Sequence, residues 1–258
     1  MPAALVTGSA ARIGKALALT LAARGYDVAV HYSASEADAK EVVSQINAMG
    51  RKSVALQADL LVEAETAALV ERACAALGPL QVLINNASIF EYDTLASGTR
   101  ESWDRHIESN LRAPVVLTQA FAAQVPAPLQ DENEEPCAQA LIVNMIDQRV
   151  RKLTPEFMSY TIAKMGLWAF TQTAAQALAP RVRVNGIGPG PTLQGGRQSF
   201  AHFNKQRAAT ILGRGANLSD MTGALCYLLD APAVTGQMLA VDGGQHLAWQ
   251  TPDILGVE

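Results

Sequence analysis

The chain has 258 residues, a formal net charge of −4 at pH 7 and a sequence pI near 5.6, and no basic cluster is interleaved with aromatic residues. That balance leaves no electrostatic footprint for a nucleic-acid backbone, so no nucleic-acid partner is expected. The length suits one α/β domain with a core on both faces of a sheet, and Cys74, Cys137 and Cys226, odd in number and without metal-ligand spacing, read as reduced thiols packed as small hydrophobes.

Short β-branched runs alternate with longer alanine-rich segments of helical period. ALVT at 4–7 predicts a strand that breaks at Gly8, too short and too uncharged for a signal peptide. A helix over 13–24 and a strand DVAVHY over 27–32 follow, then a helix at 36–49, strand SVALQ at 53–57, a helix at 63–77 and strand QVLIN at 81–85. Further on come a long helix at 101–123, strand ALIVNM at 140–145, a helix at 156–179, strand VRVNGI at 182–187, a helix at 219–229 and strand QMLAV at 237–241. Seven strands in β-α-β alternation imply a parallel sheet covered on both faces, in a single domain spanning 1–258. No run is apolar enough to span a membrane, so a cytoplasmic protein is expected. Two stretches interrupt the alternation. The acidic PAPLQDENEEPCA at 126–138 reads as a solvated surface loop. The glycine-rich segment at 188–215 lies beyond the C-terminal end of a parallel strand, where such sheets bind ligands, and predicts a substrate lid.

The turn TGSAARIG at 7–14 offers Gly8, Gly14, backbone N–H groups and a helix N-terminus to a phosphate. Arg12 stands where a second close-approach glycine is expected, so a charge and a forked donor replace bare backbone. NNAS at 85–88 ends the fourth strand, Asn110 lies in the next helix, and YTIAK at 160–164 and NGIGPGP at 185–191 follow. Tyr160 and Lys164, one helical turn apart, face the same way. An ammonium there is expected to lower the phenol's pKa toward working pH, so that Tyr160 exchanges a proton beside a hydride transfer. With these motifs in this order the chain resembles the short-chain dehydrogenase/reductase family over essentially its full length. TGSAARIG, HYS, NNASIF, NMID and YTIAK together look like its pteridine reductase branch, which includes pteridine, dihydromonapterin and dihydrofolate reductases.

The resemblance implies a Rossmann-type, doubly wound, seven-stranded sheet and an NADPH-dependent oxidoreductase acting on a pterin-like substrate. It implies cofactor contacts from Gly8, Arg12, Ile13 and Gly14 in the first turn, and from His31, Tyr32 and Ser33 at the end of the second strand. Further contacts fall to Asp59 and Leu60, to Asn86, Ala87 and Ser88, to Tyr160 and Lys164, and to Pro189 and Gly190. Asn110 would hold a water in the proton path and Lys164 would bind the nicotinamide ribose. Arg12, Ser88, Phe90, Asp147 and Tyr160 would face the substrate, with Phe90 lying over a flat pterin. Asp147 stands where the family usually places a serine that hydrogen-bonds a carbonyl. A carboxylate there repels an incipient alkoxide, whereas an acid delivers a proton to a ring nitrogen as hydride reaches the adjacent carbon.

Plainer readings stand beside these. Phe90 also fits an apolar wall, Asp147 a strand-end acid paired with Arg149 or Arg151, Arg12 a cofactor contact alone, and Asp59 either an adenine contact or a cap for the next helix. No carboxylate occupies positions 31–35, where NAD-binding relatives grip the ribose hydroxyls, which favours NADPH; Ala34, where the branch often has arginine, departs from its pattern. QRVRK at 148–152 reads either as an attractor of an anionic tail or as a solvated loop face. His106, His202 and His246 have no carboxylate or cysteine partner at ligand spacing, so no metal is expected. Family members are commonly homotetramers through the tyrosine-bearing helix, where Leu167, Trp168 and Phe170 suit either an interface or the core. The rival functions are a carbonyl reductase or alcohol dehydrogenase of the same family, and a dinucleotide-binding sensor or scaffold without turnover.

Overall fold

Apolar runs flanked by Gly, Asp or Pro form the interior strands because helices cover both faces of the sheet they build. The computed structural model describes residues 1–196 and 198–249. In chain order these are β1 (Ala3–Val6), α1 (Arg12–Ala23), β2 (Asp27–Tyr32), α2 (Glu36–Ala48), β3 (Ser53–Gln57), α3 (Glu63–Leu77), β4 (Leu80–Asn85) and α4 (Arg100–Ile107). A π-helical turn (Glu108–Arg112) leads into α5 (Ala113–Gln124), followed by β5 (Leu129–Gln130), β6 (Pro136–Cys137), β7 (Ala140–Met145), a 3-10 turn (Gln148–Arg151) and α6 (Met158–Leu178). β8 (Val182–Pro189), α7 (Phe200–Ala208), α8 (Leu218–Asp230) and β9 (Met238–Val241) follow, and a 3-10 turn (Gln245–Leu247) comes after them.

The main sheet has seven strands in the order β3-β2-β1-β4-β7-β8-β9, all pairs parallel. Alternate residues of β1 enter opposite layers. Ala4 and Val6 pack with Leu17, Leu21, Val42 and Ile46 of α1 and α2 and with Leu225 of α8. Ala3 and Leu5 pack with Leu69 of α3, Leu117 and Phe121 of α5 and Ala174 of α6. Leu5 is wholly buried, a burial worth about 1.5–3 kcal/mol. Because the chain leaves β1 toward β2 and β3 and then reverses to β4, the connections on the two sides of β1 run in opposite directions and leave a crevice at the C-terminal ends of the strands. The expected seven-stranded α/β architecture is therefore observed.

Two expectations are corrected, and two further segments take a definite form. The long helix at 101–123 is broken by the π-helical turn, since Pro114 has no N–H to give the carbonyl of Asn110 four residues back. The stretch at 126–138 is not a featureless loop: β5 and β6 pair antiparallel, and Asp131 Oδ1 closes the turn by accepting the N–H groups of Asn133 (2.8 Å) and Glu135 (3.0 Å). The segment at 188–215, whose Arg197 lies outside the described residues, contains the tail of β8 and helix α7. Leu167 is 1% exposed and the half-buried Trp168 and Phe170 pack with it, and the large apolar residues that α6 leaves exposed are Ile162 and Met165. Among the described residues no helix is long and apolar enough to cross a membrane.

Candidate active site

The loops after β1 and β4 are laced to each other. Thr7 Oγ1 accepts the N–H groups of Asn86 (2.9 Å) and Ala87 (3.0 Å), and Asn86 Nδ2 donates to the carbonyls of Thr7 (2.8 Å) and Gly8 (3.1 Å). Only glycine fits at position 14, because a Cβ there would lie 2.3 Å from the Gly8 carbonyl oxygen and 2.6 Å from Asn86 Nδ2. The result is a cavity of about 630 Å³ that brings together the predicted Gly8, Arg12, Ile13, Gly14, His31, Ser33, Asp59, Leu60, Asn86, Ala87 and Ser88. Tyr32 does not join them; it packs against the core. Pro189 and Gly190 line a neighbouring cavity instead.

Two residues of the first cavity behave differently from expectation. His31 is not a cation for a phosphate. Its Nδ1 accepts the Gly8 N–H at 2.9 Å, which leaves the ring proton on Nε2, facing the Ala58 carbonyl at 3.1 Å, and burial pulls its pKa down to about 4. The ring is neutral at pH 7 and pins the first turn. Asp59 shapes the turn before α3, its Oδ1 accepting the Leu61 N–H at 3.0 Å, but the N-cap of α3 is Val62.

The chemical end is built on β7 and α6. Asn144 of β7 receives the Asn85 side-chain amide (2.8 Å) and donates to Thr171 of α6 (2.9 Å), a buried polar bridge that ties the helix to the sheet. In the first turn of α6, Tyr160 donates its hydroxyl to Asp147 Oδ2 at 2.8 Å, while Asp147 Oδ1 accepts the Arg149 N–H at 2.8 Å. Asp147 is thus held by backbone and phenol; the Arg149 guanidinium donates instead to Thr154, and that of Arg151 to the Met238 carbonyl. Burial raises the Asp147 pKa above the ordinary carboxylate range. Lys164, 2% exposed, donates to the Met145 carbonyl at 2.8 Å, and burial lowers its pKa to about 8. The expected depression of the Tyr160 pKa is not found. Burial first, and then the Asp147 carboxylate, push it well above the usual phenol value, since the ammonium is 5.7 Å from the ring centroid and the carboxylate is the direct partner. The Asn110 side chain is bonded to the Ile89 backbone, donating to the carbonyl (2.8 Å) and accepting the N–H (2.9 Å).

The neighbouring cavity, about 830 Å³, is bounded by Arg12, Phe90 and Asp147 with Pro189 and Gly190. Arg12 borders both cavities and donates to the carbonyls of Gln194 (3.1 Å) and Leu193 (3.4 Å) in the expected lid. Its φ of +56° explains the glycine expected there, and the arginine bears a cost of about 1–2 kcal/mol. Phe157, which the sequence reading missed, has the same φ of +56° and stacks on Phe90 with centroids 4.2 Å apart, while Phe90 meets the Tyr160 ring edge-on at 4.7 Å. Arg149 lies over the other ring of that stack, 5.0 Å from the Phe157 centroid. Two strained non-glycine backbones at one site mark positions held by their surroundings. His246, expected to lack a carboxylate partner, pairs with Asp242 at 2.7 Å. No group of three or more metal-ligating side chains converges among the described residues.

A family model described as short chain dehydrogenase matches residues 2–204. The chain is similar to the solved FolM alternative dihydrofolate reductase 1 from Brucella canis, complexed with NADP, at 43% identity and a TM-score of 0.90, covering 98% of this chain and 97% of that one. It is 30% identical to pteridine reductase 1 of Leishmania tarentolae, over 95% of this chain and 96% of that protein. It is also 30% identical to the 3-oxoacyl-[acyl-carrier-protein] reductase FabG of Staphylococcus aureus strain Mu50, over 95% of this chain and 98% of that protein.

Proposed function

The chain belongs to the short chain dehydrogenase family and is an oxidoreductase, and from that premise we propose that it is an NADPH-dependent reductase of a C=N bond in a pterin-like substrate, a dihydropterin, dihydromonapterin or dihydrofolate. Equal identity to a pteridine reductase and a 3-oxoacyl reductase does not separate the two chemistries. The observation that carries the reading is Asp147, a carboxylate bonded to Tyr160 and bordering the second cavity. A ketone oxygen gains negative charge during reduction and is poorly served by a carboxylate, whereas a basic ring nitrogen is well served by an acid.

The first cavity fits a dinucleotide phosphate, with a turn that admits no Cβ at Gly14 and with Arg12 at its edge. NADPH, when bound, supplies the hydride. Ile13, Gly14, Ser33, Leu60 and the 86–88 segment would hold it, while Arg12, standing between the two cavities, would serve both its phosphates and the heterocycle. Ser88 and Phe90 would bound the heterocycle, Asp147 and Tyr160 would pass a proton to its nitrogen, and Lys164 would support Tyr160 from below. We further infer that 188–215 is the lid, tethered through Arg12, that the protein is cytoplasmic, and that it assembles as a homotetramer covering Ile162 and Met165 of α6.

A turnover screen with NADPH against dihydropterins, dihydrofolate and ketones tests the proposal: turnover of the pterins is expected, and turnover of ketones alone overturns it. NADPH is expected to bind more tightly than NADH, and Ser33→Asp to invert that preference by placing a carboxylate against the 2′-phosphate; equal affinities in the unaltered protein contradict the cofactor assignment. Phe90→Ala is expected to weaken a diaminopteridine inhibitor by about 1–3 kcal/mol, the range for losing an aromatic stacking partner. Unchanged inhibition would remove Phe90 from the substrate site.

A further inference from the structure

The helix that carries Tyr160 and Lys164 starts without a cap of its own, since Phe157 at its N-cap is left-handed and makes no side-chain bond to the first turn. The N–H groups at its start are taken by Asp93, which lies in the loop between β4 and α4. The Asp93 carbonyl accepts from Phe157 (2.8 Å) and Met158 (3.4 Å), and its Oδ1 accepts from the Ser159 N–H (3.2 Å). A carboxylate at a helix N-terminus is favoured by the unsatisfied donors there.

The same carboxylate ends a directed chain of hydrogen bonds. The Glu91 N–H donates to His106 Nε2 at 3.1 Å, which places the proton of the neutral ring on Nδ1. Nδ1–H then donates to Ser159 Oγ at 2.7 Å, and the Ser159 hydroxyl donates to Asp93 Oδ2. Asp93, His106 and Ser159 are 1%, 0% and 0% exposed, and burial lowers the His106 pKa, in keeping with a neutral ring. No step of the proposed reduction uses these three side chains. Yet they sit between the two groups that matter to it. Ser159 precedes Tyr160, the His106 ring meets the Tyr160 ring edge-on with centroids 6.0 Å apart, and the loop bearing Asp93 also bears Phe90, stacked on Phe157.

We propose that Asp93, Ser159 and His106 are positioning residues that lock the Phe90 loop to the start of α6, so that the stacking ring and the Tyr160 hydroxyl are held in one fixed register. The inference rests on Tyr160 as the proton-transferring group. A fully satisfied buried polar network is rigid, and a displacement of about 1 Å at a proton donor costs as much as a hundredfold in rate.

Ser159→Ala removes the hydroxyl from the chain while leaving the backbone N–H on Asp93. It is expected to lower kcat per folded enzyme about ten- to a hundredfold, with the NADPH dissociation constant within about twofold of the parent. His106→Leu should fall equally, whereas His106→Asn, whose amide can still donate to Ser159, should recover most of the loss. A role confined to stability would shift the melting temperature of all three variants and leave kcat per folded enzyme unchanged, and that result overturns the proposal. The measurements use whichever of the dihydropterin or ketone the parent enzyme turns over, with Tyr160→Phe as control. An active Tyr160→Phe removes the proton-donor reading and this inference with it; an inactive Tyr160→Phe beside fully active Ser159→Ala and His106→Leu removes the positioning network alone. Should Ser159→Ala fail to fold, the contrast between His106→Leu and His106→Asn decides.

Discussion

Asp147→Asn is expected to lower kcat on a dihydropterin by about 10² to 10⁴, the share that a positioned acid supplies, with little change in NADPH affinity. The geometry makes the substitution specific. Asp147 Oδ1 accepts the Arg149 N–H and Oδ2 accepts the Tyr160 hydroxyl. An asparagine keeps the first bond with its carbonyl but turns an NH₂ toward the phenol, so the polarity of the second bond reverses and position 147 no longer carries an exchangeable acid. The carboxylate is also a leading reason, after burial, that the Tyr160 pKa lies so high. Its removal should bring the Tyr160 pKa down, and the basic limb of any residual pH–rate profile should move to lower pH.

Asp147→Ser separates the proposal from its rival within the family. A serine restores a neutral hydroxyl that can donate to a carbonyl oxygen, so pterin turnover should be lost and a weak ketone activity should appear. If the natural substrate were a ketone, the serine would instead raise activity by removing a misplaced negative charge. Both variants are assayed against a dihydropterin and a ketone. Undiminished pterin turnover in both would end the acid role of Asp147.

Patterns that are local in sequence were legible, and contacts between distant segments were not. The strands show as short apolar runs because both their faces are buried, and Gly14 and the Tyr160–Lys164 pair show because a close approach and a one-turn spacing are written into neighbouring residues. Helix α7 was hidden inside the glycine-rich segment because it buries none of its residues and so carries no apolar stripe to reveal its period. The π-helical turn needed the consequence of Pro114 to be followed four residues back. Phe157 was missed because nothing in PEFMSY announces a left-handed residue stacked on Phe90, and its backbone bond is to Asp93, far away in the chain. The Tyr160 pKa was misjudged for a related reason: the motif shows the lysine, whereas the bond to Asp147 and the degree of burial are properties of the fold.

His31 is expected to make the protein lose about 3 kcal/mol of stability between pH 6.5 and pH 4, because its pKa falls from 6.5 to about 4 on folding and each unit is worth about 1.36 kcal/mol. Above pH 6.5 the ring is neutral in both states and has no effect on the pH dependence. Below it the unfolded chain binds a proton that the folded protein refuses, so stability falls with pH until the folded ring titrates near pH 4. The penalty reaches the site directly. Nδ1 accepts the Gly8 N–H and Nε2–H faces the Ala58 carbonyl, so a protonated ring sets a second N–H donor against the Gly8 N–H and expels the pin from the turn after β1. Urea unfolding at pH 7 and pH 5 measures the effect: the parent should lose about 2 kcal/mol more than His31→Gln over that interval, whatever stability the variant has at pH 7, because every other titrating group is common to both. NADPH affinity should weaken over the same range in the parent, since an acid-released Gly8 no longer holds the turn in shape. Equal losses in parent and variant would show that His31 is already free to titrate in the folded protein, and with that the neutral pin on Gly8 would fall.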